Sequence, residues 1–355
     1  LSCSRLMRAK FVIVLLSMGL ARDLAAIEPV DLQASASAAT KFEEGDLAGA
    51  LADIGKVLRD RPKDGVARYY HGLFVEKKGD LAGAEKSYRL AIELKPGLAE
   101  AWANLCALRY QAKDSREAIK LCKRAVELDY EVPAAWYNLG LANLDLGHVK
   151  EAAYAFERFT IESPKNADGW MNLGAATIRA GNKKGAVTAF REATRLSPND
   201  FLAHFNLGTA LAALGDLDAA ASALGRATEL RPDYMVAFHR PGSVERRRGR
   251  PTVAVIAQEK ARALSPNDPS VALELGLAYS ARRQKGDDDR AVVELGRAEK
   301  LARSAWEPPF YLGLVHSTAG RCAEAKKAFE RYLGRDPKGA RTTEVNAVMS
   351  RCKGG

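Results

Sequence analysis

The sequence predicts an all-α solenoid: helix-turn-helix pairs stacked head to tail as a right-handed α-α superhelix, closed by a C-terminal capping helix. Three observations predict it. Residues 133–166, 167–200 and 201–234 are consecutive copies of one 34-residue unit, a period that marks helix-turn-helix arrays. Within a copy, Trp136, Leu139, Gly140 and Asn143 fall at i, i+3, i+4 and i+7, one stripe of an amphipathic helix. Finally, Pro62, Pro96, Pro164, Pro198, Pro232 and Pro266 sit at multiples of 34, with Tyr130 in the missing slot, so one register runs along the chain.

Each copy reads as helix, turn, helix, stop. Gly147 permits the turn at Leu146-Gly147-His148. Gly140 and Ala152 are small enough for two antiparallel helices to approach closely, and Pro164 cannot continue the second helix. One pair cannot bury its apolar face alone, so neighbouring pairs must stack.

This unit divides the chain into about nine repeats: 31–64, 65–98, 99–132, 133–166, 167–200, 201–234, 235–268, 269–305 and 306–339, then a capping helix over 340–355 with Val345, Val348 and Met349 inward. The first repeat is degenerate in its first helix, as suits a terminal unit whose outer face meets water. In the third, Cys106 and Cys122 fall in core columns. The seventh reads Arg240-Pro241-Gly242 where its neighbours read Asn-Leu-Gly. Pro241 removes a backbone donor and is expected to kink that helix. The eighth carries three extra residues around Lys285–Asp289, in a turn.

The residues also carry a resemblance. Trp136, Leu139, Gly140, Gly147, Ala152, Phe156 and Pro164 fall where tetratricopeptide (TPR) repeats place theirs, as do Trp170, Leu173, Gly174, Gly181, Ala186, Phe190, Ala193 and Pro198. The resemblance implies that first helices line a concave groove that binds protein or peptide.

The first twenty-odd residues stand outside the array. Arg5, Arg8 and Lys10 precede an apolar run, Phe11–Leu16 and on to Leu20, and small residues allow cleavage after Ala21. That is the layout of a secretory signal peptide (1–21), followed by an exposed leader (22–30); the alternative is an uncleaved membrane anchor. The sequence begins with Leu1, and Met7 would make an equally good start. With no Cys after the run, a lipoprotein anchor is not expected. An exported protein, periplasmic or envelope-associated, is the expectation. The net charge is +10, and removing Arg5, Arg8 and Lys10 leaves +7. That mild excess argues for an acidic protein or an anionic envelope polymer as partner, not nucleic acid.

Little in the chain points to catalysis. The five histidines, His71, His148, His204, His239 and His316, each lie in a different repeat. No H-E-x-x-H, G-x-S-x-G, phosphate-binding glycine loop or C-x-x-C is present, nor any metal-ligand spacing, so neither an enzyme nor a cofactor is expected. His71 and His204 fall in core columns and read as satisfied packing residues. Cys106, Cys122, Cys322 and Cys352 remain after signal removal. They are either free core thiols or two bridges, Cys106–Cys122 across one helix pair and Cys322–Cys352 across the capping helix.

Two sets of residues could bind. Asn104, Asn138, Asn172 and Asn206 recur at the 34-residue period, about 200° round the helix from the Trp column and off the packing stripe. This column resembles the asparagine ladder in the repeats of O-linked N-acetylglucosamine transferase, which implies a grip on an extended peptide backbone. Tyr69, Tyr70, Tyr110, Tyr137, Met171 and Phe205 share the same face by column logic. The second set is a basic run on the seventh repeat: Arg240, Arg246, Arg247 and Arg250 as an anion-binding candidate, with His239 and Arg248 beside them. The expected function is a non-enzymatic scaffold binding an extended peptide in an envelope assembly. The alternative is an accessory to polysaccharide or pilus export that holds an anionic polymer.

Overall fold

The computed structural model describes residues 29–351, with burial given for the side chains from Ser35 onward. The expected signal segment lies outside the described residues. All the described secondary structure is helical, nineteen helices from α1 (Pro29–Glu43) to α19 (Thr342–Arg351). The helix α1 takes in Pro29 and Val30 from the stretch read as leader.

Local chemistry sets the helix ends. The second helices α2 (Leu47–Asp60), α4 (Leu81–Leu94), α6 (Ser115–Leu128), α10 (Lys183–Leu196) and α12 (Leu217–Leu230) open on Asp46, Asp80, Asp114, Asn182 and Asp216. Each of those side chains accepts a first-turn amide, satisfying a donor the helix cannot use. The residue before that cap sits at positive φ: Gly45, Gly79, Gly147, Gly181, Gly215, Gly249 and Gly320, with Lys113 at φ 68° in the third repeat.

The chain forms two compact units, one ending at Gly181 and the other starting at Asn182. In unit 1, α1 packs on α2, α3 (Gly65–Lys77) on α4, α5 (Ala99–Gln111) on α6 and α7 (Pro133–Asp145) on α8 (Val149–Glu162), with α9 (Ala167–Arg179) against α8. In unit 2, α10 packs on α11 (Phe201–Leu214), and the pairs are α11/α12, α13 (Val236–Arg247) with α14 (Pro251–Leu264), α15 (Pro269–Arg282) with α16 (Asp287–Leu301), and α17 (Glu307–Thr318) with α18 (Cys322–Arg335). The helix α19 packs on α18, with Val345 fully buried beside Phe310, Phe329 and Tyr332.

The close approach read from Gly140 is real: a Cβ there would stand 2.7 Å from the Phe156 ring. Pro241 does not end its helix. The helix α13 runs through it from Val236 to Arg247. The proline cannot donate to the Ala237 carbonyl four residues back. The hydroxyl of Thr228 lies 2.5 Å from that carbonyl, in reach to replace the lost donor, and 2.9 Å from the Leu224 carbonyl.

The bridge Cys106–Cys122 is formed, joining α5 to α6 across 5.4 Å between Cα atoms, with both residues fully buried. Cys322 is also a disulfide cysteine, while Cys352 lies outside the described residues.

Candidate peptide-binding columns

The repeat register puts the same functional column on successive first helices, but the structure treats its members differently. Asn138 and Asn172 are buried, each 5% exposed. The Asn138 amide donates to the Ala134 carbonyl of its own helix at 2.9 Å. The Asn172 amide donates to the Tyr137 hydroxyl one repeat back at 3.0 Å. Asn104 is half-buried, its Nδ2 3.3 Å from the Tyr88 hydroxyl, which donates in turn to Glu76 at 2.7 Å. Burial pushes the Glu76 carboxyl above the usual carboxylate range, the Tyr88 hydrogen bond partly offsetting it. In unit 2 Asn206 is half-buried and its amide has no partner among the described residues. The column is therefore not a uniformly open ladder. Three of its amides already donate inside unit 1.

The aromatic set divides in the same way. Tyr69, Tyr70 and Met171 are buried. Tyr69 packs at a tilt against Tyr70 and Tyr88, with ring centroids 5.3 and 6.0 Å apart, and Tyr70 likewise against Phe74. Tyr69 and Tyr70 are core residues of α3/α4 and Met171 is buried on α9, a correction to their reading as contact surface. Tyr137 packs on Phe156 and Phe159. Burial pushes its hydroxyl far above the ordinary tyrosine value, Asp168 adding to the shift and the Asn172 amide opposing it. Tyr110, Tyr137 and Phe205 keep partly exposed faces, and Phe205 stacks on Phe201 at 5.7 Å.

The basic run is mostly spoken for, a second correction. Arg246 forks onto Glu274 of α15, with Nε–Oε2 3.1 Å and Nη2–Oε1 3.3 Å. Arg247 donates to the Ala212 carbonyl near the end of α11 at 3.1 Å. Arg248 holds Asp218 of α12 and Glu245 of its own helix. A run of three arginines thus ties the seventh repeat to both its neighbours, because each fork finds a carboxylate or carbonyl about one repeat away. Arg240 and Arg250 are exposed and their side chains have no partner among the described residues.

A further column escaped the sequence reading. Trp102, Trp136 and Trp170 donate their ring N–H to the carbonyls of Pro96, Tyr130 and Pro164, at 3.0, 2.7 and 2.9 Å. His204 and Arg68 reach Pro198 and Pro62 in the same way. Each bond caps a carbonyl at the end of the preceding repeat. The signal was available: at that column every one of these residues carries an N–H donor. His71 is satisfied too, its Nδ1 2.9 Å from the Ser87 hydroxyl. Among the described residues no cluster of three metal-binding side chains occurs, and no helix is long and apolar enough to cross a membrane.

The tetratricopeptide repeat family pattern matches residues 36–99, 107–167, 144–201, 171–235 and 205–269, well over half of the chain. The chain belongs to the tetratricopeptide repeat family. Among solved structures, this TPR chain is similar to YrrB, described as a TPR protein with an unusual peptide-binding site, at 26% identity and a TM-score of 0.51, covering 57% of this chain and 100% of that one. The C-terminal part of a TPR protein from Cytophaga hutchinsonii shares the fold at 14% identity and a TM-score of 0.54, over 68% of this chain and 98% of that one. So does a chain of the APC/C Cut9–Hcn1 hetero-tetramer, at 16% identity and a TM-score of 0.50, over 87% of this chain and 59% of that one. No curated protein matches the chain. Membership makes this a protein–protein interaction scaffold of a family that is typically without catalysis.

Proposed function

We propose that the chain holds an extended peptide segment against the first-helix columns of its repeats, within an assembly of the cell envelope. The observation that carries the reading is the set of side chains the fold leaves unused: the unpaired Asn206 amide and the partly exposed Phe205 one residue before it. An amide offers donors and an acceptor together, which suits an extended backbone of any sequence. In unit 1 the half-buried Asn104, Tyr110 and Tyr137 offer the corresponding surface, while Asn138 and Asn172 shape it from beneath. Similarity to YrrB supports a peptide as the ligand. The basic, apolar start of the sequence supports export.

The test is capture from an envelope extract by the chain starting at Arg22, followed by peptide mapping of what is held. Capture of a protein segment, weakened in the Asn206→Ala and Phe205→Ala variants, is the expected result. Asn206→Ala should weaken binding by about 0.5–1.5 kcal/mol, the net worth of one hydrogen bond. Retention of envelope polysaccharide in place of protein, lost in Arg240→Ala with Arg250→Ala, would replace this reading with the polymer-binding one.

A further inference from the structure

In five of the repeats the residue that faces the first-helix glycine from the second helix is Tyr88, Phe156, Leu224, Leu295 or Phe329. In the seventh repeat it is Gln258, fully buried. Packing alone does not ask for an amide. Gln258 lies against Gly242 as Leu224 lies against Gly208, so a leucine would fill the same place.

The amide is instead turned toward one residue. Its Nε2 donates to the His239 main-chain carbonyl at 2.9 Å, and its Oε1 lies 3.1 Å from the His239 ring Nδ1. The first bond fixes the second: rotating the amide would set two oxygens face to face. The Nδ1 must therefore carry the proton, and in the neutral ring the lone pair is on Nε2. That atom makes no hydrogen bond and is not sealed from solvent. His239 is half-buried and follows the partly exposed Phe205 by one 34-residue period, so it stands where the bound segment would run.

We propose that His239 is the specificity-determining residue of the unit 2 binding column, a preset hydrogen-bond acceptor that selects peptide segments presenting a neutral donor side chain, and that Gln258 is the positioning residue that presets it. This rests on the peptide-binding reading above. A serine, threonine, asparagine or glutamine of the ligand can donate to Nε2. Against the neutral ring a carboxylate meets a lone pair and is disfavoured.

Two measurements test it. Long-range 1H–15N spectra of the full chain should show the neutral form of the His239 ring as the Nδ1–H tautomer. In Gln258→Leu the Nε2–H tautomer should gain at its expense. An Nε2–H ring in the unaltered protein overturns the inference. The second measurement probes a permuted array of extended peptides. The unaltered protein should prefer Ser, Thr, Asn or Gln over Asp or Glu at one position by roughly tenfold, the scale of one hydrogen bond. His239→Phe, which copies Phe205 of the preceding repeat, should lose that preference while still binding. If peptides bind but His239→Phe keeps the same preference, the inference falls alone. If the unaltered protein binds no peptide, the peptide-binding reading falls with it. Should Gln258→Leu fail to fold, His239→Phe still decides.

Discussion

The two compact units join their repeats by different means. Unit 1 uses rings and a covalent bond: Phe42 on Phe74 at 4.8 Å, Trp136 edge-on to Tyr130 and Tyr154, Tyr137 against Phe159, and the Cys106–Cys122 bridge within one pair. Its ion pair between repeats is Arg109–Glu85. Unit 2 uses charges: Arg246–Glu274, Arg248–Asp218, Arg262–Glu294, Arg321–Asp289, and Arg331 with Arg335 on Glu299. Its ring–ring contacts gather mainly at the C-terminal end, around Phe310 and Tyr332. One repeat architecture thus tolerates two kinds of staple. Apolar contacts are insensitive to salt and proton concentration, whereas ion pairs feel both.

The largest expected break in this comparison is covalent. The bridge closes a loop of sixteen residues, for which chain entropy gives about 3 kcal/mol. Replacing Cys106 and Cys122 together by alanine, or reducing the protein, should destabilise α5/α6 and its neighbours by about that amount. Amide exchange resolved along the chain is the measurement. Faster exchange in α5 to α7 with unit 2 unchanged is expected. Equal acceleration in both units would show that the bridge does not mark unit 1 off.

Acid should next separate α3 from α16 and α18, with opposite signs. Hydrogen bonds from Arg282 hold the Asp287 carboxyl below its ordinary value against the effect of burial. Burial pushes Glu299 up, but Arg331 and Arg335 outweigh it and the net shift is downward. Both contribute stability above the unfolded carboxylate value of about 4, lost as pH falls through the folded one. Glu76 in unit 1 is raised by burial, so the folded state takes its proton first. Its contribution improves as pH falls through that raised value. Between about pH 6 and pH 3, protection in α16 and α18 should therefore drop relative to α3. A uniform loss would count against the assignment of staples to units.

How much of this was legible beforehand follows from what a repeat pattern encodes. The period, Gly140 against Phe156 and the turn at Gly147 concern one helix pair, and a helical wheel of that pair predicts them. The asparagine column failed on the same wheel. A first helix packs not only on its partner but also on the preceding repeat, and Asn172 and Asn104 point to that second interface. The Pro241 reading saw a lost donor and not Thr228, nine residues before Ala237, in reach of the carbonyl left over. The basic run looked free because its partners, Ala212, Asp218 and Glu274, lie 28 to 35 residues away. A search for opposite charges at about one period would have found two of the three.

The smallest effect sharpens the comparison most, because it separates staple from surface inside one run of arginines. Arg246 and its partner Glu274 are 27% and 19% exposed, so the fork is only partly screened. Arg246→Ala strips a half-buried carboxylate of a two-pronged, charge-assisted partner and should cost about 1–2 kcal/mol, less at high salt. Arg240 lies six residues earlier on the same helix, exposed and unpaired. Arg240→Ala should leave stability within about 0.5 kcal/mol, as surface changes away from special features do. Urea unfolding of the two variants at low and high salt makes the comparison. If both lose the same stability, the loss belongs to the net charge of α13 and not to its fork onto α15. If Arg246→Ala alone is weakened, and the difference shrinks with salt, unit 2 is held between repeats by its arginines, and Arg240 is left free for a ligand.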